Sequence, residues 1–386
     1  MKKYFPLFWV FYLLCAFSAH AGEGRYTIPL TGGGWSLWLD KEASWQNDRL
    51  YLPHEITDLS LLPVNVPTGG WQTLSHNPDA VPVEVPGTVE EYLTVTDNPR
   101  PENFRGVSWW YRKITIPADQ QKKRFIIYFE SVRMRAEVYL DGKLVAYDLI
   151  GETPFHVDIT DEAKPGKEQL LAIRVTNPGG NFHWQDFDIM KWGEYNIPPS
   201  RSFTGIIGRV KLESVNPVFI SDIYMQNTPE LTKVNAILSF TNETSSSVKQ
   251  DVELIVNEKG NPDKVVFRQT LKAISFPAGN HEVTIPVNVP DAKLWDLSTP
   301  ELYTCNVLIK KGKKTLDQDK KDFGFRWFTV DGVGKDAVLR LNGRRIMLRS
   351  AISWGYFPVT GLIATTEMAE KQVRTAKSLG CLLYTS

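Results

Sequence analysis

The stretch FHWQDFDIMKW, residues 182–192, concentrates groups that can bind a sugar. It contains two large aromatic rings, two carboxylates and an imidazole, namely Trp184, Trp192, Asp186, Asp188 and His183. Sugar recognition needs flat apolar faces for the CH surface of a pyranose ring and a few well-placed polar groups for its hydroxyls. The residue types therefore predict a sugar-contacting loop at this position.

A structural role is the alternative interpretation of the same stretch. The rings would then pin a long loop to the folded core, and the carboxylates would pair with Lys191 or Arg201. Aromatic side chains in loops commonly serve packing, and a lone histidine such as His183 is more often a satisfied polar residue than a ligand. The sequence leaves both interpretations open.

Length and charge limit the classes of partner. A chain of 386 residues exceeds the roughly 100–200 residues of one domain, so two or three domains are expected. Lys and Arg together number 44, and Asp and Glu together also number 44, which leaves no net field to attract nucleic acid or an anionic membrane. We therefore expect a neutral partner and no nucleic acid.

Residues 1–21 have the pattern of a secretory signal peptide. Lys2 and Lys3 precede an apolar run, and Ala19-His20-Ala21 forms an A-x-A cleavage site. An uncleaved anchor is the alternative, but the apolar run is shorter than the roughly 20 residues that span a bilayer. We expect cleavage after Ala21, a periplasmic or extracellular protein, and no membrane association afterwards.

The cysteines imply no cofactor or disulfide framework. Once the signal segment is removed, Cys305 and Cys381 remain, and their spacing matches neither a disulfide pattern nor a metal site. Cys305 lies in the apolar run LYTCNVLI, where a free thiol behaves as a small hydrophobic group. The expectation is no metal, no cofactor and a fold stabilised by packing.

Residues 22–215 alternate short strand-like runs with turn signals, without a convincing helical period. Asp141-Gly142 joins AEVYL to KLVAYD and predicts a tight hairpin in which both turn residues have positive φ. Trp109 and Trp110 are adjacent on a strand, so we expect one in the core and the other at an interface or in solvent. At this length the region fits a jelly-roll sandwich better than a small barrel.

Residues 216–328 and residues 329–386 have different sequence patterns. Residues 216–328 carry regularly spaced strands over a length close to that of an immunoglobulin-like sandwich, without the Cys…Trp…Cys pattern of antibody domains. Arg326, near the end of this region, is expected to make an ion pair or carbonyl contacts between domains. Residues 329–386 predict a β-ribbon around Asn342-Gly343, a strand, and a helix that ends at Gly380 as its C′ residue.

Several motifs in series resemble glycoside hydrolase family 2, the β-galactosidases, β-glucuronidases and β-mannosidases. They are VEVPGTVEEY at 83–92, GVSWWYRKITIP at 106–117, FESVRMRAEVYLDGKLVAYDLIGETPFHVDIT at 129–160, SFTGIIGRVKL at 202–212 and LNGRRIMLRSAISWGYFP at 341–358. The resemblance implies a mainly β chain: a jelly-roll sugar-binding sandwich, an immunoglobulin-like β-sandwich, and the start of a (β/α)₈ barrel.

The resemblance also implies a retaining mechanism with two glutamates, an acid/base and a nucleophile, held about 5–5.5 Å apart. In the family both lie well into the barrel, which needs about 250 residues. We therefore expect the catalytic pair to be absent from this chain, the barrel to be incomplete and the chain to be inactive alone. Glu367 and Glu370 are expected on a solvated helix face, and Asn242-Glu243 lies in a polar turn of the middle sandwich.

In galactosidases of the family, an Asp-x-Asp-Met-Trp loop contacts the sugar and an associated cation. Asp186-Phe187-Asp188 stands in the corresponding place here, which makes Asp188 the expected sugar contact. Because Ile189 and Met190 replace Met-Trp, neither the cation nor a galactose preference carries over by resemblance.

The sequence is compatible with three functions. The leading one is the N-terminal part of a secreted exo-β-glycosidase, β-galactosidase-like, acting on a β-linked oligosaccharide or glycoside. The alternatives are a non-catalytic carbohydrate-binding β-sandwich protein and a structural module. Members of the family often assemble, which leaves a homo-oligomer of the full-length form open.

Overall fold

A computed structural model describes most of the chain. The described residues are 24–44, 58–93, 104, 106–148, 153–177, 191–192, 195–196, 204–352, 366–381 and 383–385.

The first β-sandwich is built around two antiparallel sheets. Its strands are Tyr26–Pro29 (β1), Gly32–Asp40 (β2), Val81–Val85 (β3), Gly87–Thr88 (β4), Gly106–Thr115 (β5), Arg124–Phe129 (β6), Arg135–Leu140 (β7), Lys143–Asp148 (β8), Phe155–Asp158 (β9), Glu168–Asn177 (β10), Lys191–Trp192 (β11), Tyr195–Asn196 (β12), Gly205–Ile206 (β13) and Val210–Val215 (β14). One sheet has the order β3-β2-β5-β10-β7-β8, and the other β1-β14-β6-β9. The predicted jelly-roll class is confirmed.

The adjacent tryptophans of β5 lie on opposite faces of the six-stranded sheet, as predicted. Trp110 packs in the core between the two sheets, whereas Trp109 packs in a separate cluster on the other face. Both side chains are fully buried. Trp109 escapes solvent because residues 58–80 cover this outer face, with the Trp71 ring 5.6 Å from the Trp109 ring in an edge-to-face arrangement.

The Asp141-Gly142 hairpin has the predicted geometry. Both residues have positive φ, +49° and +83°, which suits the right-handed twist of the flanking strands. The Asp141 carboxylate accepts the backbone N–H of Leu170 at 2.9 Å. A side chain at Gly142 would meet the Trp71 indole at 3.0 Å, so this glycine also makes room for the covering segment.

The second β-sandwich has its own apolar core. Its strands are Val218–Asn227 (β15), Lys233–Asn242 (β16), Val248–Glu258 (β17), Val265–Phe276 (β18), Gly279–Asn288 (β19), Tyr303–Lys311 (β20) and Lys314–Phe323 (β21). They form sheets of order β15-β16-β19 and β18-β17-β20-β21. Inward residues alternate along β16, where every second residue is buried. The immunoglobulin-like expectation is confirmed.

A buried ion-pair network joins the two sandwiches. Arg25, immediately before β1, donates to both carboxylate oxygens of Asp317 on β21, at 3.2 and 3.1 Å. Its Nη1 also donates to Glu213 on β14 at 3.1 Å. Asp317 further accepts the backbone N–H of Ile220 on β15 at 2.8 Å. The side chains of Arg25 and Asp317 are 10% and 0% exposed, so the pair is shielded from water.

A ribbon follows the second sandwich and is tied to it through Asn342. Strands Phe328–Asp331 (β22), Val338–Leu341 (β23) and Arg344–Arg345 (β24) form this ribbon. The Asn342 amide donates to the Trp295 carbonyl at 3.0 Å and accepts the Trp327 N–H at 2.9 Å. Arg326 places its guanidinium carbon 4.6 Å from the centre of the Trp295 ring. This cation–π contact differs from the ion pair or carbonyl contact expected for Arg326.

The last described part is a strand, a helix and a parallel strand. Ser350–Ile352 (β25) pairs in parallel with Leu383–Thr385 (β26), and helix Thr366–Ser378 lies between them in sequence. Gly380 has φ +76° and Cys381 donates to the Ala376 carbonyl at 2.9 Å, which is the predicted glycine C-cap. A single unit of this kind does not make a barrel, so the barrel stays a prediction.

Candidate functional site

Four of the five predicted sugar-contacting residues lie outside the described residues. They are His183, Trp184, Asp186 and Asp188. The fifth, Trp192, belongs to β11, which pairs with β12 through Trp192 and Tyr195. The structure describes the residues on either side of 178–203, and we call Asn177 the departure point and Thr204 the return point of this stretch in the sequence.

Asn177 is the last described residue before this stretch. It ends β10, is fully buried, and donates its side-chain N–H to the Phe104 carbonyl at 2.8 Å. Phe104 in turn directly follows residues 94–103, another stretch outside the described residues. The departure point of one long connection is thus bonded to the return point of another.

Thr204 is the first described residue after 178–203 and is also fully buried. Its hydroxyl donates to the Arg133 carbonyl at 2.8 Å, and its carbonyl accepts the Val89 N–H at 2.8 Å. Gly205 then exchanges two backbone hydrogen bonds with Arg133, at 2.7 and 2.8 Å. These bonds fix the return point on backbone from two other parts of the domain.

Glu90 is the polar side chain that connects the two return points. One of its carboxylate oxygens accepts the Phe104 N–H at 3.0 Å, and the other accepts the Thr204 N–H at 3.2 Å. Burial raises the pKa of Glu90, and the hydrogen bonds to its carboxylate together with the positive charge of Arg133 oppose that rise. A carboxylate held by backbone donors on both oxygens is suited to positioning rather than to proton transfer.

The local sequence explains why Glu90 points inward. Thr88 caps the short helix Val89–Tyr92 by accepting the Glu91 N–H at 3.1 Å, which sets the direction of the first turn. Gly205 on β13 pairs with Thr88 on β4 so closely that a Cβ there would lie 2.2 Å from the Gly87 carbonyl oxygen. The absence of a side chain at Gly205 is what lets the two strands meet above Glu90.

A second buried polar cluster lies beneath residues 58–80. Glu137 accepts hydrogen bonds from Arg174 at 3.0 Å, from the Tyr139 hydroxyl at 2.8 Å and from the Asn65 amide at 2.9 and 3.0 Å. Asp40 similarly accepts the Trp109 indole N–H at 3.1 Å. Because both oxygens of Glu137 are engaged by protein donors, this carboxylate holds the covering segment on the sheet rather than serving as a general acid or base.

Two glutamates to which the sequence analysis assigns no catalytic role, Glu370 and Glu243, make ion pairs in the structure. Glu370 pairs with Arg374 on an exposed helix face, as expected for a solvated position. Asn242 donates to the Ser246 and Phe276 carbonyls at 2.9 Å, and Glu243 pairs with Arg124 of the first sandwich at 3.6 Å. The Asn242-Glu243 pair therefore stabilises a turn and an interface.

The described part of the chain offers neither a metal cluster nor a membrane-spanning helix. These residues contain no group of three or more His, Cys, Asp or Glu side chains placed to hold a metal ion. Within the same ranges, no helix has the length and apolar character needed to cross a membrane.

Sequence reasoning missed Glu90 and Asn177. The capping-box spacing of Thr88 and Glu91 marks a helix start, which indicates only that Glu90 lies in a first helical turn. Nothing local indicates that the intervening Glu90 would reach two distant backbone groups. Asn177 lies in the NPGG stretch that reads from sequence only as a turn.

Two family models match the chain in series. Residues 33–197 match the sugar binding domain of glycosyl hydrolases family 2, and residues 218–326 match a second model, described as glycosyl hydrolases family 2. Together these ranges account for most of the chain and coincide with the two sandwiches. The chain belongs to glycoside hydrolase family 2.

Curated relatives are β-glucuronidases and β-galactosidases. A β-glucuronidase of Formosa agariphila is 26% identical over 66% of this chain and 26% of its own length. A putative β-glucuronidase of the same organism is 26% identical over 92% of this chain and 40% of its own length. A β-galactosidase of Bacteroides ovatus is 24% identical over 72% and 31%, respectively. The chain thus spans about a quarter to two-fifths of these relatives.

Solved structures show the same fold. A family 2 member from Bacteroides cellulosilyticus superposes with a TM-score of 0.68 at 18% identity, covering 92% of this chain and 43% of that one. A Bacteroides uniformis β-glucuronidase superposes with a TM-score of 0.65 at 21% identity, covering 92% and 39%.

Proposed function

We propose that the chain supplies the sugar-binding and immunoglobulin-like domains of a secreted retaining exo-β-glycosidase. The observation that carries this proposal is the pair of family models in series on two intact β-sandwiches. The curated relatives include enzymes named for β-glucuronides and for β-galactosides. A terminal sugar in β linkage is therefore the proposed substrate class, with galactoside and glucuronide as the two candidates.

The chemistry of such an enzyme divides between its parts. A retaining glycosidase needs a carboxylic acid that protonates the leaving oxygen and a carboxylate that attacks the anomeric carbon. We propose that these two glutamates are not among the 386 residues and that the chain alone does not hydrolyse glycosides. Its own contribution is then to hold and orient the sugar, which reduces the entropy that must be lost in the transition state.

The proposed sugar contacts are the five residues of the 182–192 stretch. Asp186 and Asp188 would accept hydrogen bonds from sugar hydroxyls, His183 would add a further polar contact, and Trp184 and Trp192 would face the CH surface. The residues that flank this stretch in sequence, Asn177 and Thr204, are fully buried and hydrogen-bonded, which supports this proposal because a binding site needs a rigid base.

Calorimetric titration of the chain with methyl β-D-galactoside and methyl β-D-glucuronide tests the binding part. We expect Asp188→Ala and Trp184→Ala to lose at least about tenfold in affinity, equivalent to about 1.4 kcal/mol, with unchanged melting. Asp222→Ala, on an exposed position of β15, is the matched control. Equal affinity in all variants would remove the loop from the sugar site, and no binding to either sugar would refute sugar recognition by this chain.

Hydrolysis of nitrophenyl β-glycosides tests the catalytic part. We expect no turnover by the purified chain beyond the buffer rate. Turnover that survives repeated purification would contradict the proposal that the catalytic pair lies elsewhere. The non-catalytic carbohydrate-binding alternative would gain support if the chain binds an extended glycan more tightly than any monosaccharide glycoside.

Secretion is the remaining part of the proposal. The support is the basic start, the apolar run and the A-x-A site of residues 1–21. Expression with this leader in a Gram-negative host, followed by mass measurement of the periplasmic protein, should give a chain that begins at Gly22. Retention of the full mass in the membrane fraction would indicate an uncleaved anchor.

A further inference from the structure

Four exposed lysines and one half-buried lysine lie where the two sandwiches meet. Two of them directly precede β6, and three are at the tip of the β20–β21 hairpin: Lys122, Lys123, Lys311, Lys313 and Lys314. We call these five residues the lysine patch. The zero net charge of the whole chain conceals this local concentration, since residues 119–123 and 311–314 contain five lysines and a single carboxylate, that of Asp119.

Contacts at the base of the hairpin bring the two parts of the patch together. The Lys123 ammonium donates to the Gly24 carbonyl at 3.1 Å. The next residue, Arg25, pairs with Asp317, which lies three positions after Lys314 on β21. Burial lowers the pKa of Lys123, Asp317 opposes this change, and the charge of Lys314 adds to it. The lysines of the two sandwiches are therefore close enough to repel each other.

The tip of the hairpin places like charges side by side. Lys311 ends β20 and Lys314 begins β21, and the two residues are directly opposite each other in the strand register. Both are exposed. Like charges at opposed positions of an antiparallel pair destabilise it. The pairing of these lysines therefore works against hairpin formation, and folding does not account for it.

Lys122 also occupies its position at a cost to folding. Its φ is +68°, in the left-handed region that glycine adopts freely and that a residue with a Cβ adopts only with steric strain. The Lys122 side chain is exposed, so it gains no packing energy in return. Local structure therefore does not explain why a lysine stands at this turn position.

The carboxylates at the junction of the sandwiches are engaged by another cation. Three of them pair with Arg25, at 3.1, 3.1 and 3.5 Å: Glu213, Asp317 and Asp319. Among the described residues, no carboxylate lies within ion-pair distance of three lysines of the patch, Lys122, Lys311 and Lys313. The charge of these three side chains is therefore available to an anionic ligand.

We propose that the lysine patch binds an acidic polysaccharide, a polymer that carries uronate carboxylates along its length. Lysine is a compact point charge on a flexible stem and lacks the planar fork of arginine, so a group of lysines suits repeated anionic groups better than a single oriented one. Several weak contacts to one polymer chain reinforce each other. The choice of uronate rests on the proposed function, in which a glucuronide is one of the two candidate substrates.

The composition of the patch favours this partner over other polyanions. Binding of single-stranded nucleic acid combines positive charge with aromatic rings on which the bases stack. Binding to a membrane surface combines basic side chains with apolar ones that enter the lipid. Residues 119–123 and 311–314 read DQQKK and KGKK, without an aromatic ring or a branched aliphatic side chain. The patch therefore offers charge alone, which is what a hydrophilic acidic polymer needs.

The test measures the affinity of the 386-residue chain for polygalacturonate. The patch variant carries three substitutions, Lys122→Gln, Lys311→Gln and Lys313→Gln. The control variant makes the same change in net charge at three exposed lysines outside the patch, with Lys41→Gln, Lys335→Gln and Lys371→Gln. We expect the patch variant to bind at least about tenfold more weakly than the wild type, and the control to match the wild type. Wild-type binding should weaken as NaCl rises from about 0.05 M to about 0.5 M, because salt screens exposed charges.

Folding stability supplies a second measurement. Lys311→Gln alone removes the like charge opposite Lys314, so we expect its melting temperature to equal or exceed that of the wild type. A lower melting temperature would assign Lys311 a structural role and overturn the inference. Equal affinity of the wild type and the patch variant for polygalacturonate would overturn it as well.

Competing polymers and a monosaccharide complete the experiment. Uncharged dextran should not bind, and equal binding of dextran and polygalacturonate would overturn the inference. Tighter binding of DNA, or of dextran sulfate with the same charge per unit length, would assign the patch to another partner and also overturn it. The patch variant should bind methyl β-D-glucuronide as the wild type does. Failure of the wild type to bind either methyl glycoside would refute the proposed function, whereas loss of the polymer difference refutes the patch.

Discussion

Arg25 and Asp317 form a two-point ion pair across the interface of the two sandwiches, with Nε 3.2 Å from Oδ1 and Nη2 3.1 Å from Oδ2. Both side chains are nearly or fully shielded from water. In such surroundings, the attraction and the hydrogen bonds must offset the cost of removing both charges from water. The pair therefore fixes the relative position of the sandwiches more than it adds to net stability.

Breaking this pair from one side should be strongly destabilising. We expect Arg25→Ala to lower the free energy of unfolding by about 3–5 kcal/mol, because Asp317 stays buried with its charge unpaired. Lys113→Ala is the control, since Lys113 and Glu168 form an ion pair whose side chains are 66% and 57% exposed. An exposed pair contributes about 0–1 kcal/mol. Equal effects of the two variants in denaturant titrations would contradict the buried character of the Arg25 pair.

The Arg25→Ala variant should also regain stability in acid. Burial raises the pKa of Asp317, and Arg25 opposes that rise. Without Arg25, the pKa of Asp317 rises further above its value in the unfolded chain, so protonation stabilises the folded state as pH falls through it. The difference in melting temperature between wild type and variant should therefore shrink on acidification. A difference that is independent of pH would assign the loss to packing alone.

Tyr139→Phe should destabilise the first sandwich without changing its shape. The Tyr139 hydroxyl donates to Glu137 at 2.8 Å and accepts the Asn65 N–H at 3.1 Å, so its removal takes one partner from the buried Glu137 carboxylate and one from the half-buried Asn65 N–H. We expect a loss of about 1–3 kcal/mol in thermal unfolding. Tyr224→Phe, on a tyrosine that is 54% exposed, should be nearly neutral.

Gly205→Ala should be among the costliest small substitutions in the first sandwich. Its Cβ would lie 2.2 Å from the Gly87 carbonyl oxygen and 2.9 Å from the Thr88 Cα, and neither backbone atom can move aside. We expect a loss of about 3 kcal/mol in the free energy of unfolding. Gly33→Ala is the matched control, because nothing lies within 4 Å of its Cβ position. A neutral Gly205→Ala would mean that β4 and β13 separate without cost.

Cys305 should resist thiol reagents in the folded protein. Burial raises its pKa to about 12, so the reactive thiolate is scarce at pH 8 and also inaccessible. In a chain that begins at Gly22 and carries Cys381→Ser, Cys305 is the remaining thiol, and we expect labelling by a chromogenic disulfide only on unfolding. Rapid labelling at pH 8 without denaturant would show that the second core opens readily.

Local patterns in the sequence predicted local geometry well. Asp141-Gly142 and Gly380 have the positive φ values that their turn and cap positions require, and Trp109 and Trp110 take opposite faces. Each of these features depends on residues within a few positions of one another. The order of the two sandwiches was also predictable, because the motifs that indicate them occur in series.

Long-range polar contacts were not predictable in the same way. Arg25 and Asp317 are 292 positions apart, and Glu90 contacts Thr204 at a separation of 114. No periodicity relates such residues, since their approach depends on how whole sheets pack. The covering of Trp109 by residues 58–80 was missed for the same reason. The predicted sugar contacts His183, Trp184, Asp186 and Asp188 remain predictions.

The position of Arg25 near the start of the chain has a consequence for the order of assembly. During synthesis, N-terminal domains generally fold first. Arg25 then enters a finished first sandwich long before Asp317, on the last strand of the second, has been made. Until that strand docks, Arg25 is solvated and Glu213 is its acidic partner in the first sandwich. Docking of the second sandwich is therefore a late step of folding. In this step, the Asp317 carboxylate replaces the water around Arg25.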